Sequence, residues 1–335
     1  MKKIKLLLFI LLILSNLESF SRDKDSTYFK PKGKVYGKIF SNFHTQINTG
    51  NNATAFEIKR AYFGYKSQLS NYFDANIKLD IGSPEDLSDF SLIRRYAYFK
   101  NAYVSFKRNK LKTYFGIIDN LHFKMQEDYW AHRYIDKSFN DRYKFGYSAD
   151  LGAQIIYDWT DWISTDFALM NGEGYSKLQN DNTLKGGLGV SIYPIKNLVA
   201  RIYFDLSEKT IVQSTIATFL GYKINDKVIA GLEYNYKYNE DFVENHNRWG
   251  YSTYVSYYPI KKLQVFGRYD KVSSEVLENE ENPWQLSKDG SAIIAGIEYS
   301  PIKYVKIALD YQDWYPLAAN EPNFQYIFLD LEISF

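Results

Sequence analysis

Three features of the 335-residue sequence predict an all-β fold: a transmembrane antiparallel β-barrel of sixteen strands, with short turns at one end and long loops at the other. Apolar and polar residues alternate with a period of two in run after run, as strands require and helices forbid. The connections between runs alternate in length. Aromatics, 31 Tyr, 23 Phe and 6 Trp, make up 18% of the chain, which favours strands and a membrane-interface belt over helical bundles.

The chain opens with Lys2, Lys3 and Lys5, then nine apolar residues from Leu6 to Leu14, then small residues at Ser19 and Ser21. That is the pattern of a secretory leader cut after Ser21. Its apolar run is far shorter than the ~20 residues a membrane helix needs. Residues 1–21 are expected to be removed, 22–32 to form a short periplasmic segment, and 33–335 to form the barrel.

Sixteen alternating runs follow, at about 33–47, 55–69, 72–82, 99–107, 110–119, 146–159, 162–171, 183–193, 198–206, 211–223, 227–238, 249–258, 263–271, 289–299, 304–313 and 323–335. The last shows the pattern most plainly. Ile327, Leu329, Leu331, Ile333 and Phe335 fall on one face, and Tyr326, Phe328, Asp330, Glu332 and Ser334 on the other. Counts of 14 or 18 strands stay open as miscounts of the same pattern.

Connections after even-numbered runs are tight, as at Ser70-Asn71, Arg108-Asn109 and Thr160-Asp161, whereas most after odd-numbered runs are long and polar. A soluble sandwich has no reason to gather its short turns at one end; outer-membrane barrels have short periplasmic turns and longer extracellular loops. Three turns share a repeat, Tyr193-Pro194-Ile195-Lys196, Tyr258-Pro259-Ile260-Lys261 and Ser300-Pro301-Ile302-Lys303, with proline placed where a turn needs no ladder N–H. Trp159, Trp162, Tyr222, Tyr257, Tyr299 and Phe335 gather at the same end as an aromatic girdle. The final strand runs to Phe335 and is expected to pair with the first, closing the barrel.

Composition narrows the chemistry. The absence of cysteine removes disulfide frameworks, thiolate zinc sites and thiol nucleophiles. With 41 basic and 39 acidic residues the net charge is +2, and removal of three Lys and one Glu with the leader leaves 38 of each, a balance that argues against nucleic-acid binding. The four histidines, His44, His122, His132 and His246, have no metal-ligand spacing, and no nucleophile elbow, phosphate loop or dinucleotide fingerprint occurs. Neither an enzyme nor a cofactor or metal site is expected. The acidic stretch Glu275 to Glu281 reads as a solvated loop tip, with weak Ca²⁺ binding as the rival reading.

Barrels of sixteen to eighteen strands leave an aqueous channel. Alternation phase points Lys38, Arg60, Lys78, Lys112, Lys185, Arg201, Arg268 and Lys306 inward, with Asp74, Asp80, Asp150, Asp205, Glu233, Asp270, Glu298 and Asp310. A water-filled interior would let these charges stay hydrated. The two sets balance, so a weakly selective pore for small hydrophilic solutes or ions is expected. The longest connection, residues 120–144, holds Phe123, Tyr129, Trp130, Tyr134, Phe139 and Tyr143, too many aromatics for disorder. Its aromatics are expected to pack it on the inner wall while Lys124, Glu127, Asp128, Arg133, Asp136, Lys137 and Arg142, with Trp130, form the constriction.

The chain resembles the Gram-negative outer-membrane porin superfamily, nearest to phosphate-selective porin O/P-like proteins. The likeness runs from about Phe56 to Phe335. It rests on Glu127-Asp128-Tyr129-Trp130 with Arg133, on Ser148-Ala149-Asp150-Leu151-Gly152, on Asn171-Gly172-Glu173-Gly174-Tyr175, and on Lys59-Arg60-Ala61-Tyr62, where Tyr62 replaces a second basic residue. The resemblance implies a homotrimeric outer-membrane pore whose third long loop folds inward. Lipid, lipopolysaccharide and the barrel-assembly machinery, the last through the strand ending at Phe335, are the partners expected. Two rivals differ in class: a channel dedicated to one substrate class, an anion such as phosphate, or an oligosaccharide or hydrophobic compound, for which an aromatic track along the lumen would be the mark, and a closed or plugged barrel acting as adhesin or scaffold.

Overall fold

A computed structural model describes residues 29–48, 53–82, 97–225 and 227–335. The expected leader, residues 22–28 of the segment after it, and the loop over 83–96 lie outside the described residues, and β1 begins at Lys32, the last residue assigned to that segment. Sixteen strands form: β1 Lys32–Gln46, β2 Thr54–Gln68, β3 Phe73–Ile81, β4 Ala97–Arg108, β5 Leu111–Asp119, β6 Ala149–Asp158, β7 Ile163–Met170 and β8 Lys185–Ile192. The second half follows as β9 Leu198–Glu208, β10 Val212–Ile224, β11 Val228–Tyr238, β12 Arg248–Ile260, β13 Leu263–Ser274, β14 Gly290–Ile302, β15 Val305–Pro316 and β16 Phe324–Ser334. Each pairs antiparallel with its sequence neighbours, and β1 pairs with β16, so the sheet closes into a barrel. Among the described residues no helix is long and apolar enough to cross a membrane.

Closure follows from the register. Lys38 faces Ser334 and Gln46 faces Tyr326 across the seam, and Gly37 and Phe335 exchange backbone hydrogen bonds at 2.9 and 3.1 Å. The Phe335 ring lies where a Cβ on residue 37 would sit, so glycine lets the ring lie over the seam. Among the described strands no edge is left unpaired, which is the condition for a sheet to span lipid.

The outward set is apolar. Phe56 is 85% exposed, and Phe115, Leu188, Ile202, Ile297, Leu309 and Leu329 are exposed with it. Trp159, Trp162, Tyr257, Tyr299 and Phe335 are exposed near the ends joined by short turns. Asn109, Asn197 and Asn225 take left-handed φ of 54°, 68° and 46° in three of these turns, a conformation asparagine tolerates.

Two details depart from the sequence reading. Pro259 and Pro301 lie inside β12 and β14, not in the turns, at register shifts between Tyr257 and Ile260 and between Tyr299 and Ile302. A bulge releases the residue from the ladder, so the missing N–H costs nothing there. Strands β2 and β4 also slip phase: Phe40 and Ser41 pair with Arg60 and Ile58, skipping Lys59, while Lys78 and Leu79 pair with Asn101 and Phe99, skipping Lys100. Each bulge turns two consecutive polar residues inward, Lys59 with Arg60 and Lys100 with Asn101.

Candidate functional site

The site is the barrel interior and the connection between β5 and β6 that crosses it. Sequence reading treats 120–144 as a connection without secondary structure; the structure forms two helices there, α1 Leu121–Trp130 and α2 Phe139–Arg142. Asn120 caps α1 by accepting from the His122 N–H at 3.1 Å, and Ala131 ends it at φ 59° with its N–H on the Glu127 carbonyl. One face of α1, His122, Gln126 and Trp130 at one-turn spacing, is buried. The other carries Lys124, Glu127 and Asp128.

The buried face packs on inward-pointing wall residues. His122 stacks on Tyr203 of β9, with ring centroids 4.8 Å apart. Trp130 meets Tyr254 of β12 and Phe266 of β13 at 5.6 and 6.1 Å, and its Nε1 donates to the Asp136 carbonyl. Tyr134 reaches Phe40 of β1 and donates to Glu298 of β14 at 2.8 Å. The segment therefore lies inside the barrel, touching strands on both sides of the seam.

Cations of the wall hold its backbone. Lys59 Nζ donates to the carbonyls of Ile135 and Tyr134 at 2.6 and 3.3 Å, Arg268 Nη1 to that of Lys137 at 2.6 Å, and Lys306 to that of Ala131 at 3.5 Å. Lys237 and Arg248 both donate to the Lys144 carbonyl. Charge-assisted bonds of this kind are stronger than neutral ones, and peptide carbonyls off a helix need partners when buried.

The predicted loop residues separate into two groups. Lys124, Glu127 and Asp128 keep much of their surface open, with Lys124 bonded to Asp128. Arg133 bridges Glu127 at 3.5 Å and Asp141 at 3.2 Å, so it belongs to this polar face. Trp130 is 1% exposed and contributes packing instead of a lining surface. Asp136 pairs with Arg142 at 2.5 Å, and the Lys137 carbonyl is taken by Arg268, so these three brace the loop. Burial alone would raise the Asp136 and Asp141 carboxyls, but Arg142 with Arg268 and Lys59, and Arg133 with Lys100 and Lys137, outweigh it and hold both below the ordinary carboxylate range.

Wall residues separate in the same way. Lys38, Arg60, Lys78, Lys112, Asp74 and Asp80 stand on β1, β2, β3 and β5, the arc that faces the polar side of α1. Glu127 lies within electrostatic reach of Tyr62 and Lys100 there, and Lys124 within reach of Asp119. The expectation of hydrated charge fails for Asp80 on this arc, which is 0% exposed and pairs with Arg60, and fails throughout the other arc, where Arg201, Glu233, Arg268, Asp270, Asp310 and Asp330 are 0–4% exposed. The loop covers this arc, and pairing compensates most of its charge. Arg201 binds Asp166 at 2.7 Å, Arg268 binds Asp270 at 2.6 Å, and Lys306 and Lys59 stand 3.7 Å from Glu298 and Asp330. Asp150 serves backbone, accepting from the N–H groups of Leu151 and Gly172. Lys185 pairs with Asp205 at 2.8 Å.

Sequence reading missed Lys59 and Lys100. The signal was present as a phase slip: outward apolar residues fall at 56 and 58, then at 61, 63 and 65.

No family model matches the sequence, and no curated protein matches it. Solved structures share the fold. Salmonella typhi OmpF, solved in complex with daunomycin, superposes with a TM-score of 0.69 at 13% identity over 91% of this chain and 98% of that one. A trimer form of OmpT, an outer membrane protein from Vibrio cholerae, gives 0.65 at 13% identity over 92% and 100%. An anion-selective porin from Comamonas acidovorans gives 0.65 at 11% identity over 91% and 100%.

Proposed function

We propose that this chain is an outer-membrane porin of a Gram-negative bacterium: a water-filled channel through which small hydrophilic solutes and ions diffuse passively, with weak selectivity. The observation that carries the reading is the loop of residues 120–148 packed against one arc of the wall of a closed barrel; a polar passage between its charged face and the other arc is the reading drawn from it. Such a passage, lined by Lys124, Glu127, Asp128 and Arg133 on one side and Arg60 and Lys78 on the other, conducts solutes without chemistry. Pairing of charge along the wall supports weak selectivity, since a strongly selective pore needs clustered charge of one sign. The fold shared with the Comamonas porin supports a pore, and the trimer form of the Vibrio protein supports a homotrimer. The apolar outer face supports contact with lipid and lipopolysaccharide, and the sealed Phe335 strand supports recognition by the assembly machinery.

Purified protein in a planar bilayer tests this. Discrete conductance steps with a solute-size cutoff are expected. Trp130→Gly removes the packing of the loop on Tyr254 and Phe266, a loss of about 3–5 kcal/mol for a buried large side chain, and should raise the single-channel current. An unchanged current would remove the loop from the narrowest point.

A further inference from the structure

The arc facing the loop carries tyrosines in a pattern that charge alone does not explain. Register across β1 to β5 fixes their heights along β3. Asp74 pairs with Ser105, which pairs with Tyr114; Asn76 pairs with Tyr103; Lys78 pairs with Gly64, which pairs with Tyr36; Asp80 pairs with Tyr62 on one side and Tyr98 on the other. Tyr175, from the loop after β7, stacks on Tyr98 at 5.8 Å and donates to Asp80. Every second residue of β3, a step of roughly 6.8 Å, therefore has a tyrosine at its height on a strand one or two away, and the series spans about 20 Å.

These rings are placed as a surface. All six are partly exposed, whereas Trp130, Tyr134, Tyr203 and Tyr254 on the covered arc are 1–4% exposed. Tyr36 lies across Gly64, where a Cβ would come within 2.4 Å of its Cζ, so glycine lets the ring lie flat on the wall. Its hydroxyl donates to Asn76 at 2.8 Å. Tyr103 and Tyr114 meet edge to face at 5.6 Å, and Lys78 sits over Tyr62.

The polar residues between the rings set the class of solute. Asp74 pairs with Lys107 at 3.4 Å and Asp80 with Arg60 at 3.3 Å, so the carboxylates of the track are matched by cations. A wholly apolar solute would desolvate Asp74 and Lys78, the two polar side chains of β3 that keep open surface there, without replacing their hydrogen bonds. A pyranose ring satisfies both halves: its C–H face rests on a phenol ring, and its equatorial hydroxyls donate to and accept from the neighbouring side chains. We propose that this track is a binding path for a neutral, linear hexose oligosaccharide, which slides from ring to ring past the polar face of α1. Repeated weak sites let a solute enter and still leave. The inference rests on the channel reading above and names its substrate class.

Ion current through the purified protein in a planar bilayer tests it, with maltohexaose as probe and polyethylene glycol of equal hydrodynamic size as the comparison. Maltohexaose should block in a saturable way, half-maximally at roughly millimolar concentration, while the polyether lowers current only in proportion to its concentration. Tyr36→Leu and Tyr103→Leu should each weaken the block about tenfold, and Tyr103→Phe, which keeps the ring, should retain it. Conductance without saturable block, or block equal in the Leu variants, overturns the sugar path and leaves the channel standing. A folded, heat-modifiable barrel with no conductance overturns both.

Discussion

His132 shows how far the interior is from an open water column. Its Nδ1 must be the protonated nitrogen, because its partner at 2.6 Å, the Trp130 carbonyl, can only accept. Its ring lies 4.3 Å from that of Phe266, and its Nε2 is 3.7 Å from Glu298. Burial, reinforced by the Lys306 ammonium, pushes the imidazole down to about 3. His122, buried on Tyr203 near Arg201, is also lowered well below its ordinary value. An unfolded histidine titrates near about 6.5, so the depressed folded values place a definite sign on the pH dependence. The contribution of both groups is fully present above about pH 6.5 and is lost as pH falls from there toward their folded values. Asp136 and Asp141, held below the carboxylate range, add nothing to this window; their contribution fails only at lower pH, below about 4. Between about pH 6.5 and 4 the two imidazoles remove stability as they charge, so the urea midpoint of the detergent-solubilised barrel should fall more over this range in the parent than in a variant lacking them. The slope should shrink in His132→Gln and shrink again when His122→Gln is added. Equal slopes in the parent and the double variant would mean that neither imidazole is kept neutral by the fold.

At the scale of the strand, the bulge at Lys59 does two jobs at once. It turns both Lys59 and Arg60 inward, and it corrects the phase of the residues before it, so that Phe56 and Ile58 face outward while Glu57 faces in. Lys59→Ala removes the clasp on the Tyr134 and Ile135 carbonyls but keeps the chain length. Deletion of Lys59 removes the extra residue and leaves Phe56, Ile58, Ala61 and Phe63 in unbroken alternation with Glu57, Arg60 and Tyr62, so every cross-strand partner is kept and only the bulge is lost. Both variants should therefore still fold and run at the heat-modifiable position on a gel, and both should raise the single-channel current by freeing the loop carbonyls. A deletion variant that loses the heat-modifiable form would show that the bulge itself, and not the alternation on either side of it, holds the register. The same bulge marks the boundary of what the sequence disclosed. Strand number, alternation and the seam at Phe335 were legible because each depends on a local period repeated through the chain. The inward direction of Arg60, Lys78, Asp74 and Asp80 was legible for the same reason. Lys59 and Lys100 were missed because a single inserted residue looks like noise in a period-two pattern until its partner strand is known. The tyrosine track was missed for a different reason: its rings come from β1, β2, β4, β5 and the loop after β7, and only cross-strand register places them at successive heights along β3.

For the molecule as a whole, the decisive quantity is the charge left over after pairing. Inside the barrel, cations meet carboxylates at Lys38 and Glu332, Lys112 and Asp158, and Lys185 and Asp205, with separations of 3.2, 2.8 and 2.8 Å. These pairs place opposite charges within a few ångströms, so their fields cancel at the distance of a passing ion. Above the loop the balance tips. A cavity of about 830 Å³ between Arg142, Tyr147, Lys177, Lys209 and Arg248 has eight basic and three acidic residues in its lining, and three further carboxylates, Asp136, Asp181 and Asp205, pair with it from behind, which leaves an excess of two positive charges. Lys144, Lys177 and Lys288 have no ion-pair partner among the described residues and are the natural source of that excess. A wide mouth with a small positive surplus raises the local concentration of anions modestly, and salt screens it, since the Debye length is about 10 Å at 0.1 M. The reversal potential in a KCl gradient should accordingly be small, favour chloride, and fall toward zero as ionic strength rises. Replacing the three lysines together, Lys144→Glu, Lys177→Glu and Lys288→Glu, removes three positive charges and adds three negative ones at the mouth while leaving the loop and the tyrosine arc in place. The sign of the reversal potential should then invert to favour potassium, with single-channel conductance at high salt nearly unchanged. A triple variant that keeps the parent's preference would locate selectivity below the mouth, between the polar face of α1 and the arc carrying Arg60 and Lys78, and would mean that the paired charges of the wall do not cancel as their spacing requires.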